Sequence, residues 1–382
     1  MIYLVERLFT EGFIYLFIYI WLFLLAVLET CKEFSQYKIV FAFSTFIFLS
    51  LFTGLRWETG TDWEPYKALF DNLELDWTFL LNVYSFDLGY VLLNAFVKIF
   101  TDNYALFLLV DSFVAVGIVF AFLIKCSPNP NISFFVFYNA FFVSQFMGSN
   151  RRIVSLGAIL FAFYYIYENR KKKFVFWQTI AFLFHRSSFM ILFTWLIPRK
   201  RLLIKQILAI LIMALVIGVP QLPFKMIGLL GNALAAFANN PIIERMLFYS
   251  DNKEDIIIPN TNPVILMTLS VIKRSIFLAF YLLIIKKNRG ILDPLSDYFF
   301  NLYIFGFAVY MLLNGSPIFQ MVSTYLTFIE IALIGRFWGY ANKPTKLIFF
   351  GVLFVYGFFQ LLSALNAYPE LYIPYKTFLL NF

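Results

Sequence analysis

This chain is poor in the side chains that soluble proteins place at their surfaces and metal sites. Of 382 residues, one is histidine, two are cysteine and only 14% are charged. Cys31 and Cys126 stand far apart with no CxxC spacing, which excludes a zinc ribbon and a disulfide framework. With His185 as the sole imidazole and carboxylates that do not cluster, the sequence predicts no metal and no cofactor. It carries no P-loop, dinucleotide fingerprint, HExxH or nucleophile elbow, which disfavours ATP hydrolysis, hydride transfer, zinc proteolysis and α/β-hydrolase chemistry. The shortage of charge excludes more. Soluble chains are about 25% charged and about 45–50% apolar, whereas this one is 62% hydrophobic. The one or two cores that a chain of this length needs would still leave a charged surface, so lipid must supply the surface that is missing.

What is present is a series of apolar runs of helical length, at about 13–28, 37–53, 86–100, 104–124, 132–147, 153–167, 174–197, 202–219, 263–285, 298–314, 317–335 and 346–366. They predict an all-α polytopic membrane protein with about 10–12 membrane-embedded helices in one membrane domain. Some runs fall short of the about 20 residues of a straight span and must be tilted, broken or re-entrant. The first is followed by Glu29-Thr-Cys-Lys, with no small-residue cleavage site, and reads as a retained helix. The net charge of +8 falls in short clusters between the runs, which marks topology and gives no sign of a nucleic-acid partner.

Two stretches, 54–85 and 220–262, mix charge, proline and amphipathic character and are predicted to be extracytoplasmic loops. Arg170-Lys-Lys-Lys173, Arg199-Lys-Arg201 and Lys286-Lys-Asn-Arg289 are placed in the cytoplasm. The run between Lys173 and Arg199 then starts and ends inside. A re-entrant hairpin over about 174–197, with Phe184-His185-Arg186-Ser187-Ser188 at its tip, satisfies both flanks. The rival is one full span with an outer Arg-Lys-Arg cluster.

Four groups of residues carry chemical potential. In Arg56-Trp-Glu-Thr-Gly-Thr-Asp62-Trp-Glu-Pro-Tyr66 a compact turn about Gly60 can present a cation and an acid to one cavity, although Trp57 and Trp63 equally suit an interfacial belt. Ser149-Asn150-Arg151-Arg152 places two arginines at the non-cytoplasmic start of a helix. There they and the free N–H groups favour an anion such as a diphosphate, snorkelling to headgroups being the plainer reading. His185-Arg186 is an ionisable pair in apolar surroundings. In the large loop, Arg245 and Tyr249 lie among prolines suited to a surface lid. Asp87, Tyr90 and Tyr325 are weaker candidates.

The order Arg56-x-x-x-Gly60-Thr61-Asp62-x-x-x-Tyr66, Asp87-x-Gly89-Tyr90, Asn150-Arg151-Arg152 at a helix start, and Ala181-Phe-Leu-Phe-His185-x-Ser-Ser188 resembles EpsG-like members of the Wzy-type polysaccharide polymerases. The resemblance covers the first two hundred residues, and the remainder by hydropathy and a large outer loop. It implies a GT-C-like glycosyltransferase of the bacterial inner membrane that works on its outer side. It would join undecaprenyl-diphosphate-linked oligosaccharide repeat units, as in O-antigen or other surface polysaccharide synthesis, with a chain-length-regulating membrane protein as a candidate partner. The leaving diphosphate would meet Arg151, Arg56, Arg152 and Arg186, since guanidinium binds phosphate bidentately and stays charged. His185, ahead of Asp62, would take the proton of the attacking hydroxyl. Tyr66, Asp87, Tyr90, Arg245, Tyr249 and Tyr325 would line the substrate, and a single displacement would invert the anomeric centre. The alternatives are a transporter or flippase holding an anionic sugar on the same arginines, which should show inverted repeats that this sequence lacks, and an O-antigen ligase-like transferase.

Overall fold

Apolar runs become helices here where a short polar side chain can start them. Asn103 accepts from the Ala105 N–H, Asp293 from Ser296 and Asn342 from Thr345, each satisfying one of the N–H groups a helix start leaves open. The computed structural model describes residues 2–82, 86–235, 244, 247, 263–288, 290, 292–313 and 317–380. All regular elements among them are helical: 3-10 helices at Ser35–Tyr37, Arg186–Leu196 and Phe378–Leu380, the π-helical stretch Tyr138–Met147, and the α-helices. In chain order these are α1 (Ile2–Thr10), α2 (Phe13–Thr30), α3 (Lys38–Gly54), α4 (Trp63–Asp71), α5 (Trp77–Asn82), α6 (Leu88–Lys98), α7 (Tyr104–Cys126), α8 (Pro130–Phe137), α9 (Asn150–Tyr167), α10 (Lys171–Phe184), α11 (Ile204–Gly218), α12 (Leu222–Ala235), α13 (Pro263–Lys287), α14 (Pro294–Leu312), α15 (Pro317–Thr327), α16 (Glu330–Tyr340), α17 (Lys343–Leu365) and α18 (Pro369–Tyr372).

This is an all-α multi-pass membrane protein. Six helices are long and apolar enough to cross a bilayer: Phe13–Thr30, Ser35–Gly54, Tyr104–Cys126, Pro294–Leu312, Phe319–Tyr340 and Lys343–Leu365. They become seven if α11 and α12, bent by 51°, form one span. The other apolar runs are built differently. Pro130–Met147 is an α-helix that relaxes into a π-helical stretch, Tyr138–Met147, and is buried almost throughout. Helix α9 is buried along nearly its whole length, so it needs no lipid-facing side and can carry arginines in its first turn.

The chain divides into two compact units, Met1–Phe189 with Ile331–Phe382, and Met190–Glu330. In the first, α7 lies between α3 and α9. Small residues set the approach: a side chain at Gly54 would collide with the Leu109 backbone at 2.9 Å, and one at Gly157 with Ile118 at 2.7 Å. The stretch 54–85 is largely folded. Tyr66, Leu69 and Phe70 face inward from α4 onto Tyr90, Val91, Tyr104 and Phe107, which caps the end of α6 and α7 with an aromatic layer. Burying each of the larger of these side chains contributes roughly 1.5–3 kcal/mol. Of the stretch 220–262, only α12 and the isolated residues 244 and 247 are described. In the second unit α11 packs on α14, where a Gly218 side chain would stand 1.9 Å from the Met311 carbonyl oxygen.

Candidate functional site

Helix α10 ends because His185 leaves helical geometry (φ −157°, ψ 112°) and the chain folds back over the next three residues. The Ser188 carbonyl then accepts from Gln178 Nε2 at 3.0 Å, two to three turns back along α10. A hydroxyl fixes this turn relative to α9, Ser155 Oγ donating to the Ala181 carbonyl at 2.8 Å. The ends of α6, α9 and α10 therefore meet, with α4 beside them.

One carboxylate gathers the cations there. Asp87, buried ahead of α6, accepts from Arg151 Nη1 at 2.7 Å through Oδ2. Its Oδ1 takes the Arg186 backbone N–H at 3.1 Å and stands 3.2 Å from Arg186 Nε. Arg186 also donates to the Phe86 carbonyl at 3.2 Å, and the Arg151 guanidinium sits 5.5 Å from the centre of the Phe86 ring. These contacts fix two guanidinium groups while leaving the Arg186 side chain 59% and that of Arg151 26% exposed.

The acid side of the cluster comes from 54–66. Gly60 has φ +110°, and a side chain there would meet the Met147 carbonyl oxygen at 2.0 Å, so only glycine lets this turn lie against the end of the π-helical stretch. Thr61 Oγ1 donates to the Gly148 carbonyl at 3.0 Å. Tyr66 bridges the two segments, its hydroxyl 3.0 Å from Ser149 Oγ and 3.4 Å from Asp62 Oδ2. The Ser149 hydroxyl meets Tyr66 and does not cap α9, while its carbonyl accepts from the Arg152 N–H at 3.2 Å.

Electrostatics separates the two candidate bases. Burial raises the Asp62 carboxyl above its ordinary range, opposed by hydrogen bonds from Thr61 and Tyr66 and by the charge of Arg151. His185 is driven the other way, to about 3, by burial and then by Arg152 and Arg151, so its ring is neutral at physiological pH. Its Nδ1 lies 2.7 Å from Ser187 Oγ. A base so depressed has little affinity for a proton.

Other expected site residues are placed differently. Arg56 is 1% exposed: its guanidinium donates to the Thr53 carbonyl at 2.9 Å and to Asn150 Oδ1. Arg152 is also buried, and Tyr90 is enclosed by Tyr66, Phe86 and Phe107. Tyr325 is buried within α15, in the other unit. Arg245 and Tyr249 lie outside the described residues. The structure brings together Asp62, Tyr66, Asp87, Arg151, His185 and Arg186 with Ser149 and Ser187 of the same motifs, and adds Phe86, whose residue type carries no signal of its own. Among the described residues no three His, Cys, Asp or Glu side chains form a group able to hold a metal ion.

A strap from the chain's far end borders this site. Trp57 N donates to the Lys376 carbonyl at 2.9 Å, Gly60 N to Leu371 at 3.0 Å and Phe378 N to Leu55 at 3.1 Å. No curated protein and no solved structure matches the chain. The EpsG family matches residues 39–377, a stretch holding the whole cluster and nearly all of the strap beside it, and the chain belongs to that family.

Proposed function

We propose that this protein polymerises undecaprenyl-diphosphate-linked oligosaccharide repeat units at the outer face of the bacterial inner membrane. The membership in the EpsG family points to a polysaccharide polymerase of glycosyltransferase type. The observation that carries the reading is the juxtaposition of two arginines, fixed on one buried carboxylate and still open to solvent, with a half-buried acid whose charged form is disfavoured.

In the reaction the acceptor sugar hydroxyl attacks the anomeric carbon of the growing glycan. The bond from that carbon to the diphosphate oxygen breaks, and its electron pair leaves with undecaprenyl diphosphate. Arg151 and Arg186 stabilise the charge that collects on the leaving oxygens, near the positive end of the α9 dipole. Asp62 receives the hydroxyl proton, its raised proton affinity suiting it to that role, while Tyr66 holds it in place. His185 acts as a neutral ring that shapes the turn. One displacement inverts the anomeric centre. The run over 174–197 enters and leaves the membrane on the cytoplasmic side, with His185 at its outer tip.

The test is turnover by purified protein in nanodiscs, supplied with lipid-diphosphate-linked repeat units and no nucleotide. Wild type should give a glycan ladder, Arg151→Ala and Asp62→Asn should each lose about 10²-fold or more in kcat, and His185→Gln should retain most of it. With Asp62 as the base, kcat/KM should rise with pH through an apparent pKa above the ordinary aspartate range, and Asp62→Asn should abolish that limb. An intact limb in Asp62→Asn that disappears in His185→Gln would return the role to His185. Translocation of the substrate in liposomes with no ladder would replace the polymerase by a flippase.

A further inference from the structure

Within the second unit, a recess of about 440 Å³ lies between the turn before α11 and the end of α13. Its walls are aliphatic, with Leu202, Ile207, Leu282 and Ile285 prominent, and two cations, Arg201 and Lys286, stand on its lining. The turn that carries Arg201 is fixed. Asn301 Nδ2 donates to the Pro198 and Lys200 carbonyls at 2.6 and 2.8 Å, and its Oδ1 accepts from Leu202 N at 3.2 Å. Arg201 lies so close to the backbone of Gly290 that a side chain there would stand 2.7 Å from Nη2. Its Nη1 is buried, makes no hydrogen bond, and is 3.5 Å from Asp297 Oδ1.

We infer that this recess binds one anionic glycerophospholipid, its phosphodiester on Arg201 and Lys286 and an acyl chain along the aliphatic wall. Size, shape and charge lead to this occupant. The volume falls in the range of built ligand sites, roughly 300–1,000 Å³. The lining is apolar except at the cations, as an amphiphile requires and a soluble phosphate does not. Two cations stand on a lining that carries no carboxylate, which suits a phosphodiester monoanion better than a zwitterionic headgroup. Around the recess Leu203, Leu208 and Leu283 are exposed, so its mouth opens on a surface made for hydrocarbon.

Native mass spectrometry of the delipidated full chain, titrated with phosphatidylglycerol or with phosphatidylcholine of the same acyl chains, tests the assignment. One phosphatidylglycerol should be retained at about tenfold lower concentration than phosphatidylcholine, the preference two basic residues near an anionic lipid can give. Arg201→Ala with Lys286→Ala should erase that preference, and Ile207→Trp, which fills the recess and keeps both cations, should lower retention of either lipid. Lys172→Ala, in a basic cluster of the first unit, should change nothing. Equal retention of the two lipids by wild type would overturn the inference. So would a loss in Lys172→Ala equal to that of the double variant, or competition by glycerol phosphate as strong as by the lipid.

Discussion

Arg56 shows how a residue can belong to a motif for reasons unlike those its chemistry suggests. A guanidinium with 1% exposure is placed to serve buried groups. Besides Asn150 and the Thr53 carbonyl it faces Asp111, a carboxylate in α7 that is fully buried and has no hydrogen-bond partner for either oxygen. Removing one partner of a buried pair leaves the other charge uncompensated, at a cost of about 3–5 kcal/mol. Arg56→Ala should therefore lower the melting temperature sharply and shrink the folded yield, and Asp111→Asn in the same chain should restore part of both. A single variant that melts like wild type and loses only turnover would put Arg56 on the substrate after all. The residue types of the site were legible in the sequence: Asp62, Asp87, Arg151, His185 and Arg186 stood out as charges among apolar residues. Which of them face a cavity was not legible, because exposure depends on helix-to-helix contacts between residues far apart in the chain. Asp111, an acid in the middle of an apolar run, is the sequence signal of a buried cation beside α7.

At the scale of the element, hydropathy located the helices but could not say which of them face lipid. Helices α8 and α9 read as spans because their residues are apolar, yet they are apolar for the sake of burial inside the first unit. The stretch 54–85 read as a loop because it carries charge, yet α4 spends its apolar side on the aromatic layer. The meeting of α6 with α10 is likewise absent from any local pattern, and it decides the site. A side chain at Gly89 would meet the backbone carbonyl group of Leu183 at 2.9 Å, and Asp87 and Arg186 lie two and three residues away from that contact. Gly89→Ala should push the two helices apart by some tenths of an ångström, costing about 1–3 kcal/mol of stability. Turnover should fall further than stability explains, since Arg186 loses its register on Asp87. Full activity in a Gly89→Ala protein with a lowered melting temperature would show that the register is set elsewhere.

At the scale of the whole molecule, the first unit is assembled from Met1–Phe189 and Ile331–Phe382: α17 packs on the π-helical stretch, and the segment from the end of α18 onward ties down the turn about Gly60. Residues 371–378 carry no hydrophobic period and gave no sign in the sequence of what they do, because the pairing partner lies more than three hundred residues away. They satisfy backbone groups of the turn that holds Asp62. Besides the three strap hydrogen bonds already described, Thr377 Oγ1 donates to the Leu55 carbonyl at 2.9 Å, Tyr15 donates to the Tyr372 carbonyl at 2.9 Å, and Tyr375 donates to the carbonyl of Phe52. Tyr375 also stacks on Phe52 with ring centres 4.6 Å apart. At a net of about 0.5–1.5 kcal/mol for each hydrogen bond, the strap contributes on the order of several kcal/mol, delivered where the acid of the site is placed. Replacing 371–378 by a glycine-serine segment of equal length should therefore lower the melting temperature and take turnover down with it. Hydrogen exchange should locate the loosening at 55–60 and leave the amides of α9 protected. If exchange at 55–60 stays slow in that variant, the turn about Gly60 is held by Met147 and Gly148 alone, and the strap serves only the end of α2 and α3 that Tyr15 and Phe52 mark.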